Sequence, residues 1–474
     1  MQHPLEARIA GTPVVTERTL DVTDPFTGET VGKVPVCGAD EVDAACRVAQ
    51  TALERDDFPQ FERAAVLERA AVLLEEQLED FAQLQCAEAG KPIRDARKEA
   101  SRCVETLRFS AVEARKLGGE VLPAAASRFG QDRVMFTIRV PIGVVAAITP
   151  FNFPLNLVAH KLGPAIAAGC PVVLKPAPQA PLSAIALAGL LVEAGLPADW
   201  VSTVTDAGSE AGDPLVRHPI PRMVTFTGSA AIGWRIAELA SRKRVALELG
   251  GTAPLIVEPG VDLEEVADKA VAGGFGYAGQ SCISVQRILA HRDIHADLRD
   301  ALAARVSELV VGDPRDERTD VGPLIEEHHT RRIHEWIQEA AGGGGRIVVG
   351  GQPEGQLLPP TVVDTPATDS RLWREEVFGP VISLRPYDDF DDALALANDS
   401  RWAIHAGVYT NDLAKAMRSV RKLQYAGINI NEIPTFRLDL APYGGIRDSG
   451  NTREGPASTV QEMTEIRTVS LPAA

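Results

Sequence analysis

The sequence predicts an α/β fold made of two consecutive units with mostly parallel sheets, and three observations predict it. Short apolar runs of strand length alternate with helical segments from about 140 to 250, and a second alternating series follows from 262. Upstream of both, the hydrophobic period switches from helical to strand-like near residue 133. Strands separated by helices need crossovers, and crossovers place strands parallel, with ligands at their carboxyl ends. At 474 residues the chain is longer than one hydrophobic core supports, so two or three domains are expected.

A helical layer is expected to open the fold. Residues 40 to 55 and 59 to 118 carry apolar positions at helical spacing, with Gly90 and Pro92 punctuating a stop. RVMFTIRVPIGVVAAI at 133 to 148 is rich in β-branched residues and reads as edge strands leading into a buried strand. The segments PVVLKP, WVSTVT, MVTFTG, RVALELGG and TAPLIVE follow as strands, with SAIALAGLLVEAG and IGWRIAELASR as intervening helices. Beyond a helix at 262 to 275, SVQRILA, RIVVGG, PVISLRPY and AGVYT supply the second series. GGGG at 342 to 345 reads as a loop or linker, and the last thirty residues as Gly-rich loops.

Composition narrows the function classes. A net charge of −17 disfavours nucleic acid or an anionic membrane as partner. Cys37, Cys46, Cys86, Cys103, Cys170 and Cys282 are scattered without CxxC or Cys/His clusters, so neither a zinc site nor a disulfide framework is indicated, and a reducing cytoplasm is expected. No basic-then-apolar leader opens the chain, and no run of about 18 apolar residues occurs, so neither export nor a membrane span is expected.

Two pattern matches fail on context. Gly274, Gly276 and Gly279 in GFGYAG fit a bare GxGxxG but follow a helix, not a strand; their expected role is to let the backbone pass close to cofactor and substrate. EEHHTRRIHEW at 326 to 336 lacks the HExxH pairing and reads as a solvated helix surface, with no metal expected. GxSxG and GxxxxGK[ST] are absent, which removes serine-hydrolase and P-loop chemistry.

The strand ends carry the chemistry. TPFNFPLN at 149 to 156 brackets Asn152 with two prolines, which suits either an oxyanion-binding amide or an Asx turn. In TFTGSAAIG, Ser229 opens a helix after a strand and serves as an N-cap or as a phosphate ligand with the flanking amides. Glu248 in ALELGG lies between leucines, where burial makes a carboxyl group a candidate general base. Lys175 in LKPAPQ ends another strand, on a polyol or phosphate or on the surface. Cys282 in GYAGQSCISVQ has small neighbours that leave a thiol uncrowded; it is either a nucleophile or buried packing.

Taken in order, FNFP, LKPA, FTGS, LELGG, GQSC, EEVFGP and PYGGIRDSG resemble the aldehyde dehydrogenase superfamily over nearly the whole chain, in the subgroup near lactaldehyde, phosphonoacetaldehyde and semialdehyde dehydrogenases. The resemblance implies an α/β fold of two doubly wound parallel-sheet domains plus a β-hairpin oligomerisation element. It places the cofactor domain at 1–119 and 139–247, the catalytic domain at 248–435 and the oligomerisation element at 120–138 and 436–474, and it implies a homodimer or homotetramer. It also implies NAD or NADP, with Cys282 attacking the aldehyde, Asn152 holding the oxyanion and Glu248 activating water on the thioester. Cofactor contacts would come from Thr149, Pro150, Lys175, Gly228, Ser229, Glu376 and Phe378. Acyl transfer to coenzyme A is the nearest rival, disfavoured by Glu248; a catalytically silent relative is another, disfavoured by the joint presence of Cys282, Glu248 and Asn152.

Two departures from the family pattern matter. Many NAD-preferring members have a glutamate three residues after the lysine, where this chain has Pro178, which leaves NADP open with a slight lean to NAD. Asn451-Thr452 replaces a frequent Ile-Gly pair, which puts local loop contacts in question. By resemblance, Arg102 and Arg437 converge on an anionic substrate tail. The competing reading has Arg102 in a surface salt bridge and Arg437 fixing its loop with Asp439. The expected substrate is a small anionic or hydroxylated aldehyde, and 5% aromatic residues argue against a pocket for bulky aromatic aldehydes.

Overall fold

In the computed structural model, which describes residues 5–473, the first alternating series forms a five-stranded, wholly parallel sheet. Its order is Arg244–Glu248, Met223–Thr227, Val145–Ile148, Val172–Lys175, Val201–Thr203. Val145–Ile148 and Val172–Lys175 are buried at every position, as strands covered on both faces must be. The chain lays down Val145–Ile148, works outward to Val201–Thr203, then returns to the other side of its first strand. The order therefore reverses between Val145–Ile148 and Met223–Thr227, and the loops leaving these two strands part to open a crevice.

The second series forms a seven-stranded sheet in the order Arg346–Val349, Thr361–Asp364, Val381–Tyr387, Val285–His291, Ala253–Val257, His405–Tyr409, Gly427–Ile430. All pairings are parallel except that of the first strand, which runs antiparallel on the edge, where an antiparallel neighbour needs only a loop. The glycine tract is the turn between helix Glu327–Gly342 and this edge strand, inside the unit.

Three expectations need correction. Two antiparallel hairpins, Arg8–Ile9 with Thr12–Pro13 and Thr19–Thr23 with Thr30–Pro35, precede the helical layer; their short, half-exposed strands carry little periodic signal. The helical stretch to 118 is three helices, Gln60–Glu76, Leu78–Ala89 and Ile93–Lys116, with Gly90 at φ +63° closing the second, as its punctuation suggests. The last thirty residues are not mainly loop: helix Pro456–Glu462 leads into Thr464–Pro472, which pairs antiparallel with Arg133–Pro141 along its full length. Val121–Leu122 adds a third strand. TEIRTVSLP is strand because a partner of matching length lies beside it, a long-range fact that local propensity does not report. Among the described residues, no helix is long and apolar enough to cross a membrane.

Candidate active site

The crevice at the carboxyl edge is a cavity of about 650 Å3. Val145–Ile148 delivers Thr149, Pro150 and Asn152 to its wall; Met223–Thr227 delivers Gly228 and Ser229; Val172–Lys175 ends on Lys175. Asn152 is buried, its Nδ2 donates to the Gln280 carbonyl at 2.8 Å, and its Oδ1 accepts from the Phe153 amide at 3.1 Å. A local contact to the next amide thus holds its carbonyl oxygen, and its NH2 faces the cysteine loop. The buried Glu99 supports the turn by accepting from the Leu155 and Asn156 amides, each at 2.9 Å.

Ser229 occupies the N-cap position of helix Ala230–Leu239, yet its hydroxyl makes no capping bond. The side-chain oxygens of Thr149 and Thr227 are buried without partners at the same edge. Glu376 lines the far side and accepts from the Gly251 amide at 3.0 Å, and burial pushes its carboxyl up to about 7. A Cβ at Gly251 would stand 2.5 Å from the Cys282 backbone carbonyl, so the second glycine of LELGG is a clearance requirement. Phe378, at φ +51°, meets Phe151 edge-on at 5.9 Å. Orphan hydroxyls, a helix N-terminus and a carboxylate around one cavity are the kinds of group that fit a dinucleotide.

Cys282 lies in the same cavity and is half-buried, whereas the other five cysteines are buried. Helix Leu263–Phe275 ends just before it, and Tyr277 and Ala278 adopt left-handed φ of +47° and +52° that turn the chain toward the cavity. The neighbouring glycines do something other than expected. A Cβ on Gly279 would strike the Gly379 carbonyl at 2.2 Å and one on Gly274 would strike Ile382 at 2.6 Å, so both admit protein, not cofactor or substrate. Nor is 326 to 336 only a solvated surface: Glu326, His328 and His329 line the cavity mouth, and burial lowers His329 to about 4.

Glu248 ends its strand with both carboxylate oxygens buried and unpartnered. Burial, reinforced by the charge of Glu454, raises it well above the ordinary carboxylate range. Gly444 passes beside Glu248, and a Cβ there would strike the Thr452 backbone carbonyl, which accounts for a glycine in PYGG. Asn451, one of the departures, brackets this strand: its Oδ1 accepts from the Leu247 amide at 2.9 Å and its Nδ2 donates to the Val245 carbonyl at 3.1 Å.

Several residues here escaped the sequence reading. Lys161 sits on helix Asn156–Ala168, buried at all 13 positions, with Nζ 3.1 Å from Thr225 Oγ1 and 3.8 Å from Glu454. A lysine inside so apolar a run was the available signal. Tyr443 Oη lies 2.7 Å from Cys282 Sγ, and no local pattern marks that pairing.

Arg102 and Arg437 do come together, on Asp439. Arg102 forks onto both Asp439 oxygens at 2.8 Å. Arg437, 10% exposed, lies 3.6 Å from the same carboxylate, 3.5 Å from Glu454 and 3.2 Å from His160 Nε2, with its guanidinium 3.8 Å from the Tyr443 ring centre. His160 and Asn156 also contact Asp439, so one carboxylate is divided among four groups. Arg437 approaches Cys282 through Tyr443, and both arginines stand outside the lining of the cavity.

Known proteins resemble this chain throughout. It is 41% identical over 456 residues to the 3-sulfolactaldehyde dehydrogenase of Priestia aryabhattai, covering 96% of this chain and 95% of that one. The structure of aldehyde dehydrogenase 21 from Physcomitrella patens in complex with the reaction product succinate superposes with a TM-score of 0.96 at 36% identity, covering 99% and 98%. The glyceraldehyde-3-phosphate dehydrogenase of Methanocaldococcus jannaschii, complexed with NADP, gives 0.92 at 35% identity, covering 96% and 100%. The sequence profile of the aldehyde dehydrogenase family matches residues 14–469, which takes in both sheets and the sulfur between them: the chain belongs to that family and is an NAD(P)-dependent aldehyde dehydrogenase.

Proposed function

We propose that the enzyme oxidises a small aldehyde with an anionic tail, such as a carboxylate or sulfonate, to its carboxylic acid. One observation carries this reading: the Arg437 side chain is nine-tenths buried, and its Nε–H has no acceptor among the described residues. An unpaired buried donor is costly, and an anionic tail supplies the missing acceptor, with Arg102 alongside. The names of the sulfolactaldehyde and succinate-bound relatives agree with that chemistry.

In this reading the Cys282 thiolate attacks the carbonyl carbon, and Asn152 Nδ2 with the Cys282 amide holds the oxygen as it becomes negative. The nicotinamide, when bound, accepts hydride. Glu248 then takes a proton from the water that attacks the thioester, releasing acid and thiol. Burial of Glu248 suits this role because a raised carboxyl is a stronger base.

Replacing Arg102 and Arg437 together with glutamine should lower kcat/KM for a carboxylated or sulfonated aldehyde about 100-fold, and for propanal about tenfold or less, the share that comes from losing the Arg437 charge beside Cys282. Steady-state assays at 340 nm decide it; equal losses on both substrates would assign the arginines to structure alone.

Within NAD(P), we read the preference as NAD. Lys175 Nζ is 2.7 Å from the fully buried Asp206, whose other oxygen accepts from the Ala211 and Gly212 amides. Arg235 is likewise paired, with Asp213. Among the described residues, the cations at this end of the cavity, Lys175 and Arg235, are each paired with a carboxylate, so a 2′-phosphate meets no unpaired positive charge. Asp206 thereby offsets the missing acid at Pro178. Asp206→Asn keeps the acceptor for the helix amides and frees the lysine. Its Kd for NADP relative to NAD, read by fluorescence titration without substrate, should fall about tenfold; an unchanged ratio removes Asp206 from cofactor selection.

We assign the described sheet of Val121–Leu122, Arg133–Pro141 and Thr464–Pro472, within 120–138 and 436–474, to self-association as a homodimer or homotetramer. The support is its exposed apolar side chains, among them Val121, Val134, Ile466 and Leu471. The segments 1–119 with 139–247 and 248–435 then serve as cofactor and catalytic domains.

A further inference from the structure

We infer that Tyr443 acts on the nucleophile itself: its hydroxyl donates a hydrogen bond to Cys282 Sγ, fixing the sulfur and stabilising it as thiolate. The geometry is direct, at 2.7 Å from oxygen to sulfur. Among the described residues this is the sole side-chain hydrogen bond to that sulfur, whose other neighbours include the apolar Ile283 and Ile404.

The ring cannot swing away. Tyr443 is buried, with the Arg437 guanidinium 3.8 Å above its centre and His405 edge-on at 5.1 Å. Arg437 over the π face draws electron density from the ring and makes the phenol O–H a better donor. Burial, with the charge of Cys282 next, holds the phenol well above its ordinary range, so it stays protonated and is the donor whenever the sulfur is ionised. The thiol stands raised to about 12; burial is the largest influence raising it, and the Tyr443 hydrogen bond is the largest influence holding it down. Of the charged groups facing the sulfur, Glu376 and Glu248 oppose the thiolate and Arg437 favours it.

The chemistry balances without a proton from tyrosine. The thiol releases its proton to solvent, the sulfur lone pair forms the S–C bond, and the carbonyl π pair moves to oxygen. Tyr443 keeps its proton throughout and loses only its charged acceptor as the sulfur becomes neutral.

The inference rests on Cys282 being the nucleophile proposed above, but its test reads the thiol and not turnover, so the two can fail separately. The full-length enzyme is alkylated with iodoacetamide across a pH series and followed by intact mass. Cys282 is the accessible thiol, since the other five are buried. In Tyr443→Phe the midpoint of the rate profile should rise by about one pH unit, with alkylation near neutral pH slowed roughly tenfold. Site-specific 3-fluorotyrosine at 443, a stronger donor that keeps ring and hydroxyl, should lower the midpoint below that of the unmodified enzyme. The order fluorotyrosine, tyrosine, phenylalanine supports the inference; any other order, or coincident midpoints, overturns it. Should the phenylalanine variant fail to fold, the fluorotyrosine comparison decides alone.

Discussion

Cys282→Ala is expected to lower aldehyde oxidation by roughly 10^4-fold or more, because in the proposed mechanism its sulfur forms the covalent adduct from which hydride leaves. The remaining cysteines cannot substitute: Cys37, Cys46, Cys86, Cys103 and Cys170 are buried. Cofactor affinity should hold within about twofold, since the helix N-terminus at Ser229, the Lys175 end and Glu376 stay in place and truncating an adjacent uncharged side chain changes little. Activity is read at 340 nm and binding by titration of protein fluorescence. Retained turnover would remove Cys282 from the chemistry; lost activity together with lost binding would point to a collapsed site instead.

Glu248→Gln separates the two halves of the reaction. Acylation needs the thiolate and the oxyanion donors, whereas deacylation needs a base, so the variant should slow steady-state turnover about 10^2- to 10^4-fold. Hydride transfer stays fast, and stopped-flow absorbance should show one equivalent of NADH per site before a slow phase. An unchanged steady rate would take the base role from Glu248.

The wild-type enzyme should show a milder form of the same behaviour with pH. In the proposed role Glu248 acts as the conjugate base, and its carboxyl is raised by burial, so protons block it until pH climbs through that raised value. Cys282 is raised too and also works deprotonated. Both signs point the same way: kcat/KM, through the thiol, and kcat, through Glu248, should increase from about pH 6 to about pH 9.

How far the sequence leads can be judged from particular residues. Asn152, Lys175, Ser229 and Glu248 each sit where a strand ends, and a strand end is a local event marked by apolar residues giving way to Pro, Gly or a polar group. That is why the parallel five-stranded sheet and its ligand edge were legible. The N-terminal hairpins and the C-terminal strand were not, because a few alternating residues become a strand only when a distant partner supplies the hydrogen bonds.

By itself, then, the sequence determined the α/β architecture and the family and named the candidate residues of the reaction, since each rests on residues close together along the chain. The tertiary structure decided how those residues meet. Tyr443 reaches Cys282 across 161 positions, and Arg102 reaches Asp439 across 337. It also placed Asp206 beneath Lys175 and left Arg437 with an unpaired donor. Charge and hydrogen bonding act over a few ångströms of space, and only folding brings residues so far apart in sequence within that range.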